Sequence, residues 1–375
     1  MAVRKKHVTR DVGIELTRVF ACLVVIGVHT SLTDIVGGVY DPSRGLINCF
    51  LADGVAVFWL ITGCFLFRNS SYKNTLVRTA KSIALPIAIY SIACLFFSGF
   101  IINGGPLIQS TYHSVEQYFQ GFKDAIMLKQ TVPLTGHLWY CYTYILVMIA
   151  FPVLSAFVQW LQEDDKRELW FCIISFVFLI VNDLTKNQTF AFSHHGLNAA
   201  VPAAIEMIWG SILYRKKEYL LKHKFLWIAA AMGFVVLNVI RMVIVWKTMT
   251  KAILYWYSSI GLLCGLCVIV FFAFVGKGLA NKKVISKMVL WLAKQTFIIY
   301  LVHIPVISVL KRFNIPTIFL ERLSLYTGRT LREILYTVGM ILVVFLVSLV
   351  VSATINFITQ LIHKVLAFKT LDTVK

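Results

Sequence analysis

IELTRVFACLVVIGVHTSLT, residues 14–33, is an apolar run of membrane-spanning length that carries both an arginine and a histidine. Arg18 and His29 differ by eleven positions. At about 100° and 1.5 Å per residue, that spacing puts both on one helix face, about 16 Å apart along the axis. The distance is about half the thickness of a bilayer's hydrocarbon core. Ionisable groups at such depth are costly and mark functional pathways. Glu15, one turn before Arg18, can pair with the guanidinium and fix its orientation. A cation low in the membrane and an imidazole high on the same stripe point to chemistry conducted across the bilayer.

The rest of the chain supports a membrane setting. Of 375 residues, 59% are hydrophobic and only 14% charged, with mean hydropathy +0.79. A soluble domain would carry about a quarter charged residues. The net charge of +19 does not imply nucleic acid, because the basic residues fall in short clusters between apolar runs, a topology pattern. The basic start, MAVRKKHVTR, leads into a first helix without a small-residue cleavage site and reads as the flank of a retained span. The cysteines sit mostly inside apolar runs, and Cys264–Cys267 is one helical turn in mid-membrane that suits packing better than redox or metal chemistry.

Ten stretches are apolar enough to span: 14–33, 47–67, 81–103, 138–160, 168–183, 198–214, 225–246, 252–275, 288–310 and 332–362. The fifth and sixth are short, and the sixth contains Pro202 and Glu206. With the N-terminus inside, lysine and arginine divide two to one in favour of the inner segments. The expected architecture is an all-α polytopic integral membrane protein of about ten transmembrane helices, a single domain over 1–375, with both termini in the cytoplasm. Two outward loops are long, one with Tyr112, His113, Tyr118 and Phe119, the other with Phe313, Tyr326 and Arg329. Loops of that length often carry function.

No phosphate-cradling glycine motif, HExxH or GxSxG is present, and no metal-ligand cluster stands out. The chemistry-bearing residues are therefore the intramembrane ones. His29 suits a general base because its unperturbed pKa lies near neutrality. Arg18 suits a phosphate or thioester-carbonyl ligand because its planar fork stays charged in an apolar setting. Glu206, Arg241 and Lys294 are further ionisable groups within spans that could pair with one another or line the substrate's path, with no partner assignable from the sequence.

The first-helix pattern, Glu15-Leu16 followed by Arg18 and, after ten residues, His29, resembles the signature of the membrane-bound acyltransferase 3 family. The segment Phe58-Trp59-Leu60-Ile61-Thr62-Gly63-Cys64 is similar to that family's second-helix motif, with Thr62 in place of serine and Cys64 in place of an aromatic. Arg78 through Pro86 resembles the basic-to-proline entry of its third helix. Gly136-His137-Leu138-Trp139-Tyr140 followed by Pro152, and TFIIYLVH over Thr296–His303, resemble its later motifs. The five occur in the family's order and cover essentially the whole chain.

The resemblance implies an O-acyltransferase that moves an acyl group, usually acetyl from cytoplasmic acetyl-CoA, onto a hydroxyl of an extracytoplasmic cell-surface polysaccharide or lipid-linked sugar precursor, in a bacterial plasma membrane. Arg68, Lys73, Arg78 and Lys81 could hold the donor's phosphates. Each reads equally well alone as a topology determinant or a membrane-lipid phosphate contact. Arg18 would stabilise the donor or a developing oxyanion. His29 would deprotonate the acceptor hydroxyl or carry the acyl group transiently, and the sequence does not choose between these. His137 and Trp139 are expected at the outer mouth of the fourth span, where the indole could stack on a sugar or anchor the interface. His303 is expected in a supporting or structural place. Two other readings stay open from the residues alone: a transporter or flippase for a polar or lipid-linked substrate, although no internal repeat is evident, and a scaffold whose polar groups bind helices together.

Overall fold

A computed structural model describes residues 10–68, 71–104, 111–112, 114–129, 131–193, 196–249 and 252–372. The basic segment 1–9 and His113 lie outside the described residues. The helices are α1 (Val12–Thr30), α2 (Pro42–Leu51), α3 (Gly54–Leu66), α4 (Tyr72–Thr79), α5 (Leu85–Asn103), α6 (Val115–Ile126), α7 (Trp139–Ile149), α8 (Phe151–Gln162), α9 (Asp165–Leu184), α10 (Gly196–Arg215), α11 (Lys217–Leu220), α12 (Leu226–Thr248), α13 (Ser259–Leu279), α14 (Lys283–Arg312), α15 (Ile315–Ser324) and α16 (Arg329–Asp372). Two short strands, β1 (Ile35–Val36) and β2 (Val39–Tyr40), pair as an antiparallel hairpin. Gly37 and Gly38 turn it with φ of 57° and 81°, the left-handed backbone that a two-residue hairpin loop needs.

Local chemistry sets the helix limits. Asp11 caps α1 by accepting from the amides of Gly13 and Ile14. Asp41 caps α2, which has proline in its first turn. A π-turn, Ala80–Ala84, joins α4 to α5 just before Pro86, whose missing N–H cannot close a regular turn. The third span is thus longer than the apolar run 81–103 and starts at Tyr72, so Arg78 and Lys81 stand on the helix itself. The second, Pro42–Leu66, breaks between α2 and α3 at Ala52-Asp53. The fourth breaks before Pro152 and bends by 70° between α7 and α8.

Among the described residues, eight helices are long and apolar enough to cross a membrane, and the bent α7–α8 pair brings the number to nine. The chain is an all-α polytopic membrane protein. The stretch expected as a fifth span forms α9, but Asp165, Lys166, Arg167 and Glu168 at its start and Asp183 near its end leave only its middle apolar. Its exposed face carries Leu169, Ile173, Ile174 and Val177. The two long loops contain the short helices α6 and α15.

Ion pairs align the helix ends. At one end Asp11 accepts from Lys217 and from Tyr214, Arg68 lies over the Tyr214 ring, and Glu168 meets Arg215. At the other, Arg44 meets Glu333 and Arg329 meets Asp41. The first is called the basic end below, the second the histidine end. Helix α1 is mostly buried, touching α3, α13, α14 and α16. Helices α3 and α10 meet backbone to backbone: a Cβ on Gly63 would strike the Met207 carbonyl, and one on Gly210 the Leu60 carbonyl.

Candidate functional site

The site begins with the face that α1 turns toward α14. Its basic-end half carries Arg18, half-buried, with its Nε 3.2 Å from Glu15 Oε2. Glu15 is buried and also meets Arg10, Nε to Oε1 at 3.4 Å. One carboxylate thus orients two guanidinium groups through their Nε atoms and leaves their terminal nitrogens for other partners.

Those two arginines border a cavity of about 780 Å3, within the size range of small-molecule sites. Arg68, Arg78 and Lys294 line it too, so five cations, from the segment before α1, from α1, α4 and α14, and from just past the end of α3, face one space. Asn74, Thr75, Thr79 and Ser82 add polar groups. Among the described residues, no acidic side chain is in the lining. Five cations that converge on a concave space, two of them oriented by the Glu15 carboxylate, make an anion site of the kind that phosphates occupy. Lys73 and Lys81 do not line it and are exposed.

Toward the histidine end the cavity wall becomes aromatic: Phe58, Tyr140, Phe297 and Tyr300, with Thr62 and Cys141 among them. Among the described residues, no histidine is in the lining. The described lining of the cavity reaches Tyr300 and not His29; Tyr300 also packs on His137 and His303, with ring centroids 5.4 and 5.7 Å apart. The Tyr300 hydroxyl donates to the His137 carbonyl.

Three histidines cluster behind Tyr300. His29, in the last turn of α1, is exposed, and its ring centroid is 5.2 Å from that of His303 on α14. His303 is fully buried and lies 5.0 Å from His137, which sits in the 3-10 turn before α7. His303 Nδ1 is 2.6 Å from the Tyr300 carbonyl, and His137 Nε2 is 3.2 Å from that of Leu301. A carbonyl only accepts, so each of those nitrogens carries the hydrogen. That leaves His303 Nε2 and His137 Nδ1 as bare lone pairs, buried and without a hydrogen-bond partner. Among the described residues, no group of three or more His, Cys, Asp or Glu side chains is arranged to hold a metal ion.

The sequence-based candidates thus fall into two groups that the fold places on either side of Tyr300. Arg18, Glu15, Arg68 and Arg78 gather at the cavity, and His29, His137 and His303 gather at the far side. Trp139 joins neither: it is half-buried and stacks on Trp256 at 5.8 Å, beside an aromatic group that includes Trp59 and Tyr140. The structure adds Tyr300, Tyr140 and Arg10 to the site, and of the further intramembrane ionisable groups it brings Lys294 to the cavity. Tyr300 lies inside the quoted TFIIYLVH motif, three residues before His303, so the same helix turn that presents the histidine presents the tyrosine.

The arrangement is that of a helical membrane protein with an anion-binding cavity and a separate imidazole cluster. The acyltransferase domain of the acyltransferase 3 family matches residues 11–353, and the chain belongs to that family. It is accordingly a membrane acyltransferase. Comparison with curated proteins and with solved structures found no match.

Proposed function

We propose that the protein is an O-acetyltransferase that takes acetyl from acetyl-CoA on the cytoplasmic side and delivers it to a hydroxyl of a cell-surface polysaccharide, or its lipid-linked precursor, outside a bacterial plasma membrane. The observation that carries this reading is the single cavity in which five cations end at an aromatic wall shared, through Tyr300, with the histidine cluster. Coenzyme A has that polarity: a phosphate-rich nucleotide at one end and an uncharged arm ending in the thioester at the other.

The cations hold the phosphates at the basic end, which is then the cytoplasmic one, and both termini lie on that side. The arm runs past Arg18 toward Tyr300. Displacement of the Tyr300 ring brings the thioester to the side where His29 sits. His29 takes the proton of the acceptor hydroxyl, the oxygen bonds to the acyl carbon, the C–S bond breaks, and the proton passes to the thiolate. Transfer by way of an acyl-histidine uses the same atoms in two steps. Arg18 stabilises the negative charge that develops on the donor. Lipids surround the bundle, and no role for nucleic acid is needed.

The test is acetyl transfer by the full chain in native membranes supplied with labelled acetyl-CoA, followed by analysis of surface glycans for ester acetate. Wild-type protein should release coenzyme A and label glycan, and His29→Ala should insert normally and do neither. Label that stays in acetyl-CoA, with a substrate still moved across vesicles, would replace this reading with the transporter one.

A further inference from the structure

His303 presents a bare nitrogen to the neighbourhood of His29, and the surroundings leave that nitrogen no other use. Its Nδ1–H is committed to the Tyr300 carbonyl at 2.6 Å, which fixes the tautomer and puts the lone pair on Nε2. The ring has no solvent access, and Nε2 has no partner. A buried acceptor left unpaired is destabilising, so a fold retains one where a donor arrives during function. His137 cannot be that donor. It packs edge-on to His303 at 82°, but its own hydrogen is on Nε2 and engaged with Leu301, so it offers a second lone pair. His29 can. Its ring is 5.2 Å from His303 between centroids, close enough for facing nitrogens to reach hydrogen-bond distance, and unlike the other two it reaches the surface.

We infer that His303 is a positioning residue for His29: its Nε2 accepts an N–H of the His29 ring, which turns the other His29 nitrogen, as a lone pair, toward the outer face. The inference rests on the proposed acyl transfer for its catalytic meaning, but the contact itself is independent of it. When His29 takes the acceptor's proton, the imidazolium keeps its N–H on His303. The bond strengthens because its donor is now charged. The arrangement parallels the use of a carboxylate behind a histidine base, with a neutral imidazole in its place. The second ring is held rigidly. The Tyr300 carbonyl accepts from the His303 ring and its hydroxyl donates to the main-chain carbonyl of His137, so one residue of α14 ties the His303 ring to the turn that carries His137.

Two variants separate the acceptor from the packing. His303→Gln and His303→Phe both lose the bond to the Tyr300 carbonyl, but only Gln can offer an oxygen near the position of Nε2. The first measurement is the rate at which diethyl pyrocarbonate modifies His29 in the full chain in nanodiscs, read by peptide mass spectrometry. The second is kcat and KM for acetyl-CoA in native membranes. His303→Phe should slow His29 modification and lower kcat by about tenfold to a hundredfold, the worth of one hydrogen bond to a charged group, with KM unchanged. His303→Gln should restore most of both. Equal His29 reactivity in wild type and His303→Phe, or equal loss in Gln and Phe, overturns the inference. A protein whose His29 responds as expected but which never turns over acetyl-CoA upholds the contact and rejects the acyl-transfer reading.

Discussion

Asp53 and Arg241 form a two-pronged ion pair at the break between α2 and α3, with Nη2–Oδ1 at 2.7 Å and Nη1–Oδ2 at 3.0 Å. Neither side chain has appreciable solvent access. Arg241 also donates to the Cys49 carbonyl, which accepts from the Ala52 amide at the end of α2 as well, and to Asn238 Oδ1. The pair therefore satisfies an interrupted backbone inside an apolar bundle, where unpaired polar groups are costly. Removal of one partner strands the other charge. Asp53→Ala and Arg241→Met should each cost about 3–5 kcal/mol, while the double variant Asp53→Leu/Arg241→Leu should recover much of the loss. Thermal unfolding of the detergent-solubilised chain measures all three.

Contact between α3 and α10 depends on two missing side chains. Gly63→Ala drives a methyl into the Met207 carbonyl, and because backbone cannot move aside as a side chain can, the helices must separate. A loss of about 1–3 kcal/mol is expected, the usual cost of overpacking. Gly278→Ala is the control: nothing lies within 4 Å of its would-be Cβ, so the change should be neutral or slightly stabilising. The same unfolding assay distinguishes the two.

These relationships mark where the sequence stops being informative. Most spans were legible because apolar length is a one-dimensional property, the stretch 168–183 being the exception, and the α1 stripe was legible because helical spacing fixes which residues share a face. The breaks were less so. Asp53 sits in the run 47–67 with no sign that it would meet Arg241, nearly two hundred residues later, because pairing across spans is set by packing alone. The cavity cations divide for a similar reason. Arg78 and Lys81 are three positions apart, but Arg78 stands on α4 and Lys81 inside the π-turn Ala80–Ala84, and Arg78 lines the cavity while Lys81 does not. His303 looked like an isolated polar residue in an apolar helix. Its meaning comes from His29 and His137, which arrive from two other helices.

The loop segment with α6 offers a pH test. Thr131 donates to Asp124 Oδ2 at 2.6 Å, Gln120 donates to Oδ1 at 2.7 Å, and Lys129 Nζ lies 3.2 Å from Oδ1. The Thr131 hydrogen bond is the largest influence, and together these partners hold the carboxyl below its ordinary 3.8. The native state therefore binds this proton less readily than the unfolded chain. The stabilisation is present above 3.8 and is lost as pH falls through the lower native value. A spin label on Lys123→Cys should keep its mobility from neutral pH down to that range and loosen below it. Asp124→Asn should be looser already at neutral pH and lack the transition. Identical acid profiles for the two proteins would show that Asp124 does not anchor the segment.

The division among the basic residues gives the sharpest test of the cavity. Arg68→Ala and Arg78→Ala each remove a lining cation, and at about 1.5–3 kcal/mol per charged hydrogen bond should weaken coenzyme A binding about tenfold to a hundredfold. Lys73→Ala and Lys81→Ala change the net charge by the same amount but do not line the cavity. Their effect should be small and should vanish at higher salt, as expected for an exposed charge acting at a distance. Arg18→Lys is the most demanding case. It keeps the charge, but the ammonium replaces a planar fork whose Nε is held by Glu15, so both the orientation and the second donor are lost. Binding should fall by about as much as for Arg78→Ala, and Glu15→Gln, which releases the fork without touching its charge, should produce part of the same loss. Titration of coenzyme A into the full chain in nanodiscs reads all six variants. If charge alone governs affinity, the four lining and non-lining substitutions to alanine will be indistinguishable and Arg18→Lys will bind as wild type does.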